Sequence, residues 1–217
     1  MTRETVGQYI ADLQAVNAPY TVLGRVRDLG NAMRAMSPDH DWGWLQAKIR
    51  RLRKTVQSVR NKPALIVPID QIFAFGLELM AKADGPSGGS PFQRSKNYRD
   101  GLLIAVLAAR QPRRGNLAAI EIDRHLVELS DRYWLLFKEG ETKTGARIEK
   151  HLPAMLVPYF ERYLSHYRPQ LVGHKRRPNR TRALKEPGMS LWVSTIGSAM
   201  SEGAIYERVR LLTKAKF

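Results

Sequence analysis

The stretch Tyr98-Arg99-Asp100-Gly101-Leu102-Leu103-Ile104-Ala105-Val106-Leu107-Ala108-Ala109-Arg110-Gln111-Pro112-Arg113-Arg114-Gly115-Asn116-Leu117-Ala118-Ala119-Ile120-Glu121-Ile122 decides how this chain folds. From Gly101 to Ala109 it is apolar on nearly every side, and a helix of that kind has to lie inside a core. A second short apolar run, from Leu117 to Ile122, follows it. Between the two stand Arg110, Arg113 and Arg114, held by the fold because the helix that delivers them is buried. Charge is costly to bury without a partner, and no acid occurs between Arg110 and Ile120, so an anion from outside the chain is the expected partner. The plainer alternative is an ordinary basic turn at the surface.

Downstream of this helix the periodicity changes from helical to extended. Residues 125–129, a turn at Ser130-Asp131-Arg132 and residues 133–137 predict a hairpin rich in β-branched and aromatic side chains. The turn over 138–145 carries Lys143 at its tip, and residues 147–152 alternate as a half-exposed third strand does. A helix is predicted over 153–167, with Leu156, Tyr159, Phe160, Tyr163 and Leu164 on one face and proline at its start. Its aromatic stripe reads as core and not as a base-stacking platform. Residues 168–185 contain Arg168, Lys175, Arg176, Arg177, Arg180, Arg182 and Lys185 without an acid, broken by Pro169, Gly173 and Pro178. Such a loop is either mobile or ordered by nucleic acid. Residues 191–194 predict a short strand, and Ser201 caps a last helix in which Ile205, Val209 and Leu212 share a face.

Upstream, residues 5–16 and 20–36 carry apolar positions at helical spacing. Ser37-Pro38-Asp39 supplies a cap, a first-turn proline and an acid, and so predicts the start of a long amphipathic helix. Its apolar face would be Leu45, Ile49, Leu52, Val56 and Val59. The opposite face is basic, with Lys48, Arg50, Arg51, Arg53, Lys54, Arg60 and Lys62, and no acid occurs between Trp44 and Pro68. That face can lie along a phosphate backbone or be merely solvated. Prolines 63 and 68 end the pattern and place a domain boundary nearby, with 1–62 and 63–217 as the two parts. A largely buried helix over 69–82 and a flexible Gly/Ser/Pro loop over 84–91 come next. The loop matches no nucleotide-binding spacing.

A chain of 217 residues with 43% hydrophobic content can build a real core, in one large domain or two small ones. Its 36 Lys and Arg against 20 Asp and Glu leave a net charge of +16, a long-range attraction for nucleic acid or anionic lipid, and nucleic acid is the expected partner. No apolar run is long enough to span a membrane and no secretory signal opens the chain, so a cytoplasmic protein without a membrane partner is expected, which binding to double-stranded DNA would associate with the nucleoid. Zero cysteines remove disulfides, thiolate metal sites and cysteine nucleophiles together, and five scattered histidines lack metal-ligand spacing. Neither a metal nor another cofactor is expected. The overall expectation is a mainly α fold with a small three-stranded antiparallel sheet, an α+β architecture.

In this order the elements resemble the tyrosine recombinase (phage integrase) family. That family places a helical core-binding domain before a mixed catalytic domain. In the latter, a buried helix leads to an arginine in an Arg-x-x-Glu-Leu motif, and a lysine sits on the hairpin between the second and third strands. Here Arg113-Arg114-Gly115-Asn116-Leu117 stands at the first motif, with Asn116 where Glu is commoner, and Thr142-Lys143-Thr144-Gly145 at the second. The resemblance covers residues 63–217 well and the first part by architecture alone. It implies a helical core-binding domain followed by part of an integrase-like catalytic domain. It also implies DNA breakage and rejoining through a 3′-phosphotyrosyl link, and a homo-oligomer on DNA when full length. Arg113 would clamp the scissile phosphate, since a guanidinium fork binds two phosphate oxygens and stays charged, and Lys143 would protonate the leaving 5′-oxygen. Arg110 and Arg114 compete for the clamp. The leucine four residues after Arg113 favours Arg113. Lys48, Arg51, Lys54, Lys62, Arg114, Lys175, Arg176 and Arg177 would contact the DNA backbone.

The chain also departs from the family. His-x-x-Arg occurs only at His174-Lys175-Arg176-Arg177, ahead of the Trp192 segment and so out of the family's order, and Tyr206 is out of register with the nucleophile. The expectation is therefore a truncated product ending shortly before the His-x-x-Arg segment, which binds DNA without cutting it. The alternatives are a non-catalytic accessory or regulatory DNA-binding protein of the same descent, and an unrelated basic nucleic-acid-binding protein, for instance one associated with ribosomes.

Overall fold

Cap chemistry starts the first helix: the Thr2 Oγ1 accepts the Thr5 N–H at 3.2 Å, and α1 runs over Arg3–Val16. Proline at its first turn starts α2, Pro19–Met36. The third helix, α3, spans Gly43–Thr55, shorter at both ends than the sequence predicts. The Ser37-Pro38-Asp39 signal is spent on a turn. There the Ser37 carbonyl accepts the indole N–H of Trp42 at 3.0 Å, and Asp41 Oδ1 accepts the Gly43 N–H at 2.7 Å. Burying Trp42 outweighs the earlier cap. Val56 leaves α3 in an extended conformation. Val6, Ile10, Val22, Val26, Trp42, Leu45 and Ile49 form the core of this part.

In this computed structural model the described residues are 1–57, 66–86, 88–174 and 187–217. The chain divides into an N-terminal unit, Met1–Ile66, and a C-terminal unit, Val67–Phe217. Val59, Arg60 and Lys62, and the basic run 175–185, lie outside the described residues.

In the C-terminal unit, α4 (Ile69–Asp84) packs on α5 (Pro91–Arg110), which Ser90 caps through its hydroxyl. The two helices touch at Gly76 and Gly101. A Cβ at Gly101 would lie 2.6 Å from the Gly76 carbonyl oxygen, so only glycine allows this approach. Helix α5 begins well before the apolar run, and Tyr98 through Ala105 are all buried. Arg99 and Asp100 share that burial because they neutralise each other at 2.5 Å. Arg208 adds a bond to the second Asp100 oxygen at 2.6 Å, and Arg99 donates to the Val193 carbonyl at 2.6 Å. The predicted flexible loop after α4 is stapled: Asp84 accepts from Arg162 at 2.7 Å and from the Tyr167 hydroxyl, and Arg94 donates to the Gly89 carbonyl at 3.1 Å.

After the short helix α6 (Arg114–Ala118), strands β1 (Leu126–Leu129), β2 (Arg132–Phe137) and β3 (Ile148–His151) form an antiparallel meander in the order β1-β2-β3. Ser130 and Asp131, both with positive φ, make the two-residue turn whose twist suits a hairpin. The fold is thus mainly helical with one small three-stranded sheet, an α+β architecture.

The helix predicted over 153–167 is instead a composite. A short 3₁₀ turn leads into α7 (Val157–Arg162), a π-type turn covers Tyr163–Tyr167, and α8 continues over Arg168–Gly173. The wider π turn lets the path continue past Pro169, which stands in the first turn of α8 where no N–H is needed. Arg168 consequently belongs to the fold and not to a basic loop: it donates to the Gly188 and Ser190 carbonyls at 2.5 and 2.8 Å, and burial lowers its pKa. The segment around Trp192 is extended but joins no sheet. It makes isolated bridges, Glu121↔Ser190 and Val193↔Ala199, while the Trp192 indole N–H donates to the Leu117 carbonyl at 2.9 Å. Ser201 caps α9 (Glu202–Lys216) through its hydroxyl, and Ile205 buries its face.

Candidate nucleic-acid interface

The exit of α5 sets the geometry of the arginine cluster. Gln111 takes a left-handed conformation, φ 47°, which turns the chain out of the helix, and Pro112 then delivers Arg113 to the N-cap position of α6. Leu117 and Ile120 anchor the other side in the core. The three guanidiniums meet different fates. Arg110 bonds back to the fold, its Nε donating to the His151 carbonyl at 2.5 Å. Arg114 pairs with Glu202 of α9 at 2.5 Å and lies over the Tyr206 ring, 5.3 Å from its centroid. Only Arg113 has no carboxylate or carbonyl partner among the described residues. Its one polar contact is a long one, from Nη1 to the Thr144 hydroxyl oxygen at 3.5 Å.

The expectation that this cluster needs an external anion is therefore corrected for Arg114, which Glu202 meets, whereas Arg110 is held by a neutral carbonyl. The acid that satisfies Arg114 comes from a helix far along the chain, so scanning the neighbouring residues could not find it. Arg114 remains half exposed, but its charge is already countered within the fold.

Thr144 follows Lys143 on the turn between β2 and β3, so the two motifs singled out in the sequence meet at one corner of the C-terminal unit. Lys143 is exposed and has no ion-pair partner among the described residues. The turn itself is built, not loose. The Thr142 side chain is buried and donates to the Ala146 carbonyl at 2.8 Å, while the Gly145 N–H donates to the Thr142 carbonyl at 3.1 Å. Asn116, at the motif position where the resembling family commonly has Glu, is buried with no partner for its amide nitrogen.

In the N-terminal unit, Lys48, Arg51 and Lys54 are exposed on α3, Lys48 flanking the buried Leu45 and Ile49 and Lys54 on the far side, and none forms an ion pair with a described residue. A groove between α1 and α3 adds Arg3, whose guanidinium lies 5.7 Å from the Trp44 ring centroid. Sequence reasoning missed Arg3, because its position before the first apolar residue gave no sign of which helix it would face. Lys62, Lys175, Arg176 and Arg177 lie outside the described residues.

The tyrosines of the C-terminal core are spent on structure. Tyr163 donates to the Leu191 carbonyl at 2.9 Å, Tyr167 donates to Asp84, and Tyr98 stacks on Tyr167. Burial raises the pKa of Tyr98, Tyr163 and Tyr167, and pushes Tyr133 up to about 12. Tyr206 is exposed on α9 beneath Arg114.

Among the described residues no cluster of His, Asp or Glu could hold a metal ion, and no helix is long and apolar enough to cross a membrane. No protein-family model matches the chain, and neither the curated proteins nor the solved structures contain a significant match.

Proposed function

We propose that this chain binds duplex DNA through its phosphate backbone, and that its C-terminal unit is a tyrosine-recombinase-like catalytic domain. In this reading Arg113 grips a phosphate and Lys143 stands beside it. The observation that carries the reading is the Arg113–Thr144 contact. The two motifs required by the resemblance are separated by two strands, yet they share one exposed corner while the neighbouring arginines are drawn off by His151 and Glu202. A guanidinium with no internal carboxylate keeps its full charge for a ligand, and its fork suits two phosphate oxygens. In the recombinase reaction the same fork would offset charge on the phosphorane as a tyrosine hydroxyl attacks, and the lysine ammonium would give its proton to the departing 5′-oxygen.

Strand cleavage is not proposed for these residues, because the core tyrosines are occupied by the fold and His-x-x-Arg is absent in the family's order. The alternative reading is a non-catalytic accessory protein that uses the same phosphate contacts. In the N-terminal unit Lys48, Arg51 and Lys54 would make phosphate contacts of their own, since an acid-free cationic helix face releases counterions when it meets a polyanion.

The test is duplex-DNA affinity as a function of salt. If about six phosphates are neutralised, affinity falls roughly a thousandfold between about 50 and 200 mM salt. Affinity that stays flat over that range refutes the reading.

A further inference from the structure

We propose that Glu141, with Arg124 and His125, is a latch that positions the Lys143 turn against Arg113. The proposal rests on the phosphate-binding reading for its purpose, but its geometry stands apart from it.

Glu141 is the point at which the turn is tied to the sheet. One of its oxygens, Oε2, accepts the Lys138 backbone N–H at 2.7 Å, closing the turn on itself. The other, Oε1, accepts from Arg124 Nη2 at 2.6 Å and faces His125 Nε2 at 3.5 Å. Arg124 is itself held by Glu121, at 2.9 Å, so the guanidinium bridges two carboxylates and is not a loose surface cation. His125 is buried and stacks on Phe137, with ring centroids 4.7 Å apart. Its Nδ1 accepts the Glu121 backbone N–H at 3.0 Å, which leaves the ring proton on Nε2, directed at Glu141.

Every donor that reaches Glu141 is therefore anchored in the segment before β1 or at the end of β2, whereas Lys143 and Thr144 lie just beyond it on the exposed tip. An exposed lysine on a turn would sample many positions. A turn fixed by a carboxylate with three donors, continued by the buried Thr142 and its bond to Ala146, presents the tip in one place. That place is within reach of Arg113, through Thr144. Glu141 touches no ligand in this account; it acts through the turn and is a positioning residue.

The experiment compares the full chain with Lys143→Ala, Glu141→Gln and the double variant. Duplex-DNA affinity is measured against salt, and amide hydrogen exchange across residues 142–146 is followed without DNA. Glutamine keeps the size and one carbonyl oxygen but loses the charge that Arg124 and His125 meet. The Gly145 amide is expected to exchange about tenfold faster in Glu141→Gln than in the parent, as the turn opens without global unfolding. Glu141→Gln and Lys143→Ala are each expected to lower the slope of log affinity on log salt by about one, and the double variant to bind no more weakly than Lys143→Ala. Unchanged exchange at the turn overturns the latch whatever happens with DNA. Affinity losses that simply add overturn the coupling between Glu141 and Lys143. If Lys143→Ala leaves DNA affinity intact, the phosphate-binding reading of this corner fails while the exchange result still decides the latch. Arg124→Gln, which leaves Glu141 in place, should reproduce the faster exchange.

Discussion

Arg99 and Arg113 stand at the two ends of the same central feature, and the fold treats them in opposite ways. Arg99 is fully buried in α5, paired with Asp100 and bonded to the Val193 carbonyl, with Arg208 completing the cluster from α9. Arg113 is exposed just beyond the helix, with a hydroxyl oxygen at 3.5 Å as its one polar contact among the described residues. The difference teaches that position relative to a carboxylate, not distance from the core, decides which cations remain available. Lys96 illustrates the first environment further: partial burial, then the Arg208 charge, lowers its pKa, with Asp100 opposing them.

Variants can break this contrast. The largest effect is expected at Asp100. Replacing it with alanine leaves Arg99 buried and uncompensated, which should cost about 3–5 kcal/mol of stability in a denaturant melt. A loss below about 1 kcal/mol would mean that Arg99 finds another partner and that the two arginines are less different than their burial implies. Arg113→Ala should do the converse. Stability should change by no more than about 0.5 kcal/mol, while duplex-DNA binding weakens by about 1.5–3 kcal/mol, roughly tenfold to a hundredfold. Loss of fold without a specific loss of binding would make Arg113 a structural residue like Arg99.

Arg114 lies between these extremes, and Glu202→Gln sharpens the comparison. Releasing Arg114 from its exposed ion pair should strengthen DNA binding by no more than about 1 kcal/mol, visible as a few-fold rise in affinity at low salt that fades at high salt. Weaker binding in that variant would show that the pair orients Arg114 toward the ligand instead of occupying it. The smallest effect concerns acid. Glu141 has its pKa held below the ordinary 4.5, first by the Lys138 backbone N–H, with desolvation opposing and Arg124 and then His125 assisting. A carboxyl depressed in the folded state stabilises above its unfolded value, and that contribution disappears as pH falls through the folded value. As pH falls below the ordinary carboxylate range and through this lowered value, the turn around Lys143 should therefore open before the helices melt, as read by exchange or by NMR of Gly145. Simultaneous loss of turn and helices would place Glu141 in the global fold.

Much of the architecture was legible because its signals are local. The apolar run in α5 announced burial, the aromatic-rich residues 133–137 announced β2, and Ser201 announced the start of α9. The failures came where a distant partner overrode a local cue. Ser37 looked like a helix cap, but the Trp42 indole claimed its carbonyl, and Pro169 looked like a stop until a π turn carried the chain past it. Trp192 looked like a strand residue but became a core plug bonded to Leu117. At the candidate site the residue types and their order were readable. The partners of Arg110 and Arg114 were not, since His151 and Glu202 come from other elements.

By itself the sequence of Tyr98 to Ile122 determined that a buried helix must end in a fixed group of arginines, because an apolar surface on every side leaves the helix no stable place outside a core. Which of those arginines meets a carboxylate among the described residues was decided by tertiary structure alone. Ion pairing depends on distances of a few ångströms, and the long-range pairs, Asp100 with Arg208, Glu202 with Arg114 and Glu141 with Arg124, form only once α9 and the sheet have folded around α5.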